Sequence, residues 1–190
     1  MDNYTILPVP YTVGPEAYNS VAEYTRLYGT KAVVIGGEKA MNASREKLLN
    51  AVEDTEITIL DFVHFGKECT CAAASAVSIV YKEDGSFADF VHFLEAAKHV
   101  FIDTDIIARA PREYLWAGIG DTYAKYYEVS ISARGESLPH YMAMGVNMSR
   151  MCMETLVEHG AQALCDNEAG IASYDLEQAA LAIIITTGWV

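Results

Sequence analysis

Apolar residues near the N-terminus recur first at helical and then at strand spacing. Tyr18, Val21, Ala22 and Tyr28 lie three to four residues apart or at multiples of that spacing. Pro15 suits a first helical turn and Gly29 a stop, so the pattern predicts a helix there. The run KAVVIGG over 31–37 reads as a short buried strand ending in a glycine turn. Asn42 or Ser44 is placed to cap a second helix carrying Leu48, Leu49 and Val52. A β-branched, apolar run over 56–64 follows. Helix, strand, helix, strand in this rhythm predicts an α/β part with a parallel sheet.

After His64 the rhythm breaks. The stretch FGKECTCAAASA carries a glycine, a C-x-C and an alanine run but little helical pattern. Parallel strands need a crossover of a dozen or more residues, usually helical. Either the next strand runs antiparallel or part of a crossover is missing. Residues 76–93 then read as a hairpin around Glu83-Asp84-Gly85-Ser86, since Asp-Gly is a strong hairpin turn. HVFID over 99–103 is a further strand and 104–110 a short helix closed by Pro111. The strands at 33–35, 57–62, 77–81 and 100–102 are expected to pair in one small sheet.

Beyond Pro111 the pattern is helical only, over 112–117, 122–133, 140–159 and 174–187. The reading is thus an α/β N-terminal part followed by an all-α C-terminal part. The expected domains are 1–110 and 111–190.

Composition narrows the partners. The 26 acidic residues against 13 basic ones give a net charge of −13, which repels phosphate backbones and argues against nucleic acid. The N-terminal MDNYTILPVP has neither the basic start nor the long apolar run of a signal peptide. The most apolar stretch, 181–185, is too short to span a bilayer. A cytoplasmic protein without membrane association is expected, with Cys69, Cys71, Cys152 and Cys165 as free thiols. C-x-C is not the C-x-x-C of a zinc knuckle or redox pair.

Candidate chemistry is sparse. Asp121 follows two glycines in AGIGD, where a helix is expected to start. There it reads either as an N-cap or as one carboxylate of a metal site. His64, His92, His99, His140 and His159 show no metal-binding spacing on a helix. Gly36-Gly37, after a strand, can approach a nucleotide phosphate or simply end the strand.

Several segments in the same order resemble the iron-containing alcohol dehydrogenase superfamily, on its glycerol dehydrogenase-like branch. They are SAVSIVYKEDGSF, VFIDTDIIARAP, AGIGDTYAKYYE, VNMSRMCMETLVEHG and IIITTGWV, and the likeness runs from Tyr11 to Val190. It implies a reduced Rossmann-like, nucleotide-binding α/β domain followed by a truncated helical metal and substrate domain. It implies NAD or NADP as cofactor, zinc or iron as metal, and a small polyol or alcohol as substrate. On this resemblance Asp121 falls on the carboxylate metal ligand. Ser75, Val77 and Tyr81 fall on the cofactor wall. Gly37 stands where relatives bind the adenosine ribose with Asp, which leaves NAD against NADP open. Cys71 falls on a substrate-contacting Asp, and a thiol cannot accept the same hydroxyl bonds, so glycerol itself is in question. The family's Gly-Gly-Gly pyrophosphate turn would belong between GKECT and CAAAS, and its two metal-binding histidines beyond TTGWV. Both are expected to be missing, leaving a chain inactive alone. The competing expectation is a non-catalytic protein that forms a homo-oligomer or pairs with a full-length relative. Dehydroquinate synthase-like and glycerol-phosphate dehydrogenase-like proteins share the fold, but the few basic residues speak against a phosphate substrate.

Overall fold

Two parallel strand pairs, a hairpin and a group of long helices make up the described residues. The computed structural model describes residues 10–64, 77–81, 87–92 and 98–189. They divide into two compact units, Tyr11–Ile106 and the chain from Ile107 onward.

In the first unit, β1 (Tyr11–Gly14) pairs in parallel with β6 (Val100–Asp103), Tyr11 opposite Val100 and Gly14 opposite Asp103. Sequence reasoning misses β1, because four residues between prolines are too few to show alternation. A 3-10 turn over Ala17–Ser20 and a short α1 (Val21–Thr25) replace the longer helix expected there. Strand β2 (Lys31–Gly36) pairs in parallel with β3 (Thr58–His64), with a bulge where Val33 faces Asp61. Between them runs α2 (Glu38–Val52). It starts at Glu38 rather than at a cap on Asn42 or Ser44. Nothing in Glu38–Asn42 breaks a helix, and Glu38 suits the positive N-terminal end. The Ser44 hydroxyl instead donates to the Ala40 carbonyl inside the helix. Met41 is buried, Lys47 and Leu48 lie half-buried on the same side at helical spacing, and Leu49 points outward.

The hairpin is antiparallel, β4 (Val77–Tyr81) against β5 (Phe87–His92), with an irregular register at Val80/Tyr81. Its Asp84-Gly85 turn lies outside the described residues. The single small sheet expected from the sequence is corrected here. Among the described residues β2 pairs with β3, β4 with β5 and β6 with β1, and no ladder joins the three pairs. Only the stretch 65–76 separates β3 from β4, about the minimum for a parallel crossover.

The second unit begins as α3 (Thr104–Ala108) ends, and packs α4 (Arg112–Ser132), α5 (His140–Ala169) and α6 (Tyr174–Trp189) together. Its core is built from Leu115, Cys152, Leu156, Ala163, Leu176, Ala179 and Ala182. Small residues let α5 and α6 approach closely. The buried hydroxyls of Thr122 and Thr186 donate to the carbonyls of Gly118 and Ala182 one turn back, so they need no other partner. Two helix boundaries differ from expectation. The α5 helix passes through Gly160, which packs on Ile119, and ends only at Gly170 in the left-handed conformation. The α4 helix runs unbroken through AGIGD, where two helices are expected.

Candidate cofactor and metal site

The glycines at the end of β2 have separate roles. A Cβ on Gly36 would lie 3.0 Å from the Met41 Cγ and press on that side chain, so glycine suits the close fit of α2. Gly37 precedes the first residue of α2 with φ −72° and ψ 155°, a backbone any residue adopts, and open space surrounds its Cα. Gly37 therefore leaves room beside the helix N-terminus and contributes no side chain to it. Val77 and Tyr81 both lie on β4. Ser75 and Cys71 lie outside the described residues.

Asp121 is not a helix cap. It sits in the interior of α4, exposed, with its Oδ2 3.7 Å from the Lys125 Nζ one turn on. Such a surface pair is worth about 0.3–0.5 kcal/mol, so Lys125 hardly commits the carboxylate. Gly118 and Gly120 lie in the helix itself. A Cβ on Gly118 would meet the Ile183 Cδ1 at 3.0 Å, so this glycine serves the packing of α4 on α6. Gly120 meets nothing within 4 Å.

Among the described residues no three His, Cys, Asp or Glu side chains group closely enough to hold a metal ion. The His99 ring shares a 2.9 Å hydrogen bond with the Thr12 hydroxyl and stacks on Tyr24 at 4.0 Å. Burial holds its pKa below the ordinary histidine value. The His159 Nδ1 bonds the Asp175 carboxylate at 2.7 Å, and Tyr174 meets its ring edge-on. This pairing ties α5 to α6. Cys152 is buried, which raises its pKa despite the Thr186 contact and keeps it an unreactive thiol.

The strongest polar cluster lies elsewhere. The Lys47 Nζ donates to both carboxylate oxygens of Asp103 at 2.8 Å, to Asp105 Oδ2 at 3.0 Å and to the Pro15 carbonyl at 3.0 Å. Asp103 Oδ1 also accepts from the backbone N–H groups of Asp105 and Ile106, capping α3. Partial burial disfavours the Lys47 ammonium. The hydrogen bonds to Asp103 and Asp105 outweigh it and hold its pKa above the ordinary lysine value. Sequence reasoning misses this cluster, although Asp103-Thr104-Asp105 between strand and helix is a capping signal. Nothing local identifies a lysine on α2 as its partner.

No family model matches the chain. A glycerol dehydrogenase of Pseudomonas putida is 30% identical over 157 residues, 79% of this chain and 41% of that protein. Glycerol dehydrogenase 1 of Schizosaccharomyces pombe is 23% identical over 235 residues, 95% of this chain and 52% of that protein. The chain thus spans about half the length of these curated relatives. A 190-residue chain cannot fill 235 aligned positions, so the second relative carries internal residues without a counterpart here. In fold, the crystal structure of a glycerol dehydrogenase from S. pombe superposes with a TM-score of 0.79 at 22% identity, over 98% of this chain and 62% of that one. An iron-containing alcohol dehydrogenase from Thermotoga maritima superposes with a TM-score of 0.68 at 12% identity, over 96% of this chain and 68% of that one.

Proposed function

We propose that this chain, a homologue of the glycerol dehydrogenases with the fold of the iron-containing alcohol dehydrogenases, is a reduced NAD(P)-dependent polyol oxidoreductase that does not oxidise polyols by itself. The observation that carries the second half is the donor set. Asp121 presents a single exposed carboxylate, and no further donors gather into a group among the described residues. A lone carboxylate competes poorly with water for a divalent ion. When bound, such an ion supplies Lewis-acid activation of a substrate hydroxyl. The described residues offer it Asp121 alone.

On the cofactor side, Ser75, Val77 and Tyr81 form the proposed wall, and Gly36 and Gly37, at the end of β2, are the proposed phosphate approach. Gly37 supplies neither a carboxylate for a ribose 2′-hydroxyl nor a cation for a 2′-phosphate, so neither dinucleotide gains affinity there. Cys71 is the proposed substrate contact in place of a carboxylate, which favours a small alcohol less dependent on hydroxyl recognition than glycerol. Steady-state assays with NAD or NADP, added Zn²⁺ or Fe²⁺, and a panel of small polyols test this reading. No turnover above the enzyme-free rate is expected. Metal-dependent dinucleotide reduction that is lost in Asp121→Ala would overturn it.

A second reading, a non-catalytic protein that pairs with a full-length relative, draws on exposed apolar side chains. Trp116, Tyr127 and Ile131 point outward along α4. Co-expression with a glycerol dehydrogenase and retention of both chains on one affinity tag is the expected result if this reading holds.

A further inference from the structure

A parallel sheet is normally covered on both faces, because its crossovers lie on them. In the β2–β3 pair one face is covered. Ala32 and Val34 on β2, with Ile59 and Phe62 on β3, are half-buried, and Gly36 contacts Met41 of α2. The Arg45 guanidinium lies 4.1 Å over the Phe62 ring, which marks this as the α2 side.

The opposite face carries Val33 and Ile35 on β2 and Val63 on β3, exposed by 49%, 62% and 41%. Leu60, the extra residue of the bulge, is 59% exposed. Strand alternation puts Val33, Ile35, Asp61 and Val63 on one side. Apolar exposure at successive outward positions is the mark of a missing layer, not of scattered surface hydrophobes. The internal residues that the S. pombe relative has and this chain lacks are consistent with a lost covering layer.

We infer that this face binds a second copy of the same chain, sheet on sheet. The face is self-complementary in charge. Lys31 stands at one end of its β2 row and Asp61 on its β3 row, and among the described residues neither has an ion-pair partner. A two-fold axis parallel to the strands lays β2 of one copy over β3 of the other. Within each sheet Ile35 is level with Val63, Val33 with Asp61 and Lys31 with Thr58. The axis therefore sets Ile35 against the other copy's Val63. It leaves Lys31 about 7 Å along the strand from the other copy's Asp61, within reach of a lysine side chain. The same axis sets Val33 against the other copy's Asp61. Each copy supplies both signs, so two ion pairs lie side by side at the Lys31 end and the Ile35–Val63 contacts lie at the other. A face of two short strands is smaller than the ~800 Å² per partner of a stable interface, so the dimer is weak and dissociates on dilution.

Sedimentation equilibrium and light scattering of the full chain, from about 5 to about 500 µM, test this inference. A monomer–dimer equilibrium is expected. Ile35→Asp should weaken it at least about tenfold while leaving far-UV circular dichroism unchanged. Val63→Asp serves if the first variant folds poorly. Lys31→Glu should weaken the dimer and Lys31→Glu/Asp61→Lys restore it, a recovery that lost apolar packing alone would not give. A monomer at every concentration, or a dimer indifferent to all of these variants, overturns the inference. So does a dimer abolished by Trp116→Asp but not by Ile35→Asp, since the interface would then lie on α4. A complex formed only with a full-length relative overturns it too. The outcome is independent of turnover, so the inactive-enzyme reading can fail while this one stands.

Discussion

Replacing Lys47 by Met isolates the strongest polar cluster in the chain. The change keeps most of the aliphatic stem on α2 and removes the ammonium. Asp103, whose side chain is 1% exposed, loses two charge-assisted bonds of 2.8 Å and keeps two longer backbone N–H donors, at 3.1 and 3.3 Å. Removing one partner of a buried ion pair costs about 3–5 kcal/mol. The Lys47 side chain is 31% exposed. Water therefore reaches part of the vacated volume, and the expected cost falls to about 2–3 kcal/mol. Hydrogen exchange read peptide by peptide is the suitable assay, since the two compact units need not unfold together. Protection of α2, β6 and α3 should fall roughly 30- to 150-fold at one decade per 1.36 kcal/mol, while α5 and α6 stay unchanged. Pairing with Asp103→Asn should recover part of the loss, because the buried charge goes with its partner. Because the folded pKa of Lys47 is raised, its contribution is complete below the ordinary value of 10.5 and fades as pH rises through the folded value. The gap between wild type and Lys47→Met should therefore close only in strong alkali. A loss below about 0.5 kcal/mol, or one spread equally over α5 and α6, would refute the reasoning.

Gly118→Ala and Gly120→Ala should move thermal stability in opposite directions. The first drives a methyl into Ile183 and should cost about 1–2 kcal/mol net, and the second fills open space and should gain about 0.5–1 kcal/mol. Scanning calorimetry reads both, and equal signs would contradict the packing described. Asn167 donates through Nδ2 to the carbonyls of Ile107, Ala108 and Ala110. Asn167→Leu removes these three bonds, leaving the Ile107 carbonyl only the Ala110 N–H, with an expected loss of about 2–3 kcal/mol in urea denaturation of the helical unit. Burial lowers the pKa of His99, so its contribution is full above the ordinary value of 6.5 and is lost as pH falls below it. His99→Phe should flatten the acid limb of the first unit's stability profile, measured by exchange at β1 and β6, and an unchanged limb would remove His99 from the account.

The periodic segments were the legible ones. β2, β3, β6 and the hairpin strands follow from their β-branched and aromatic apolar runs, and α6 from its apolar content. The errors in α4 and α5 share one cause, which is that glycine is read locally as a breaker. In α4 and α5 the helix continues through Gly118, Gly120 and Gly160 because tertiary packing outweighs a propensity cost of about 1 kcal/mol per glycine. Ile183 against Gly118 and Ile119 against Gly160 are contacts between helices, which a scan along one segment does not contain. The same limit hides Lys47. A lysine half-way along a predicted surface helix looks solvated, and only the fold brings it to Asp103.

The candidate site shows how far a single residue carries a function. Asp121 keeps its place in a matching run, and the fold around it is that of dehydrogenases. A metal site, however, is a property of three or more donors held in one geometry. A carboxylate on an exposed helix face holds its position equally well when the other donors are missing, because its own backbone does not depend on them. α4 stands on Leu115, Thr122 and the Gly118 contact, none of which involves Asp121. On the proposed reading of an inactive chain, loss of catalysis need not destabilise this unit, and its helices persist as a scaffold. The sheet differs in this respect. Val33, Ile35, Leu60 and Val63 are exposed to water, a cost borne until something covers them. Selection on a chain of this kind would thus act less on Asp121 than on the exposed face of β2 and β3.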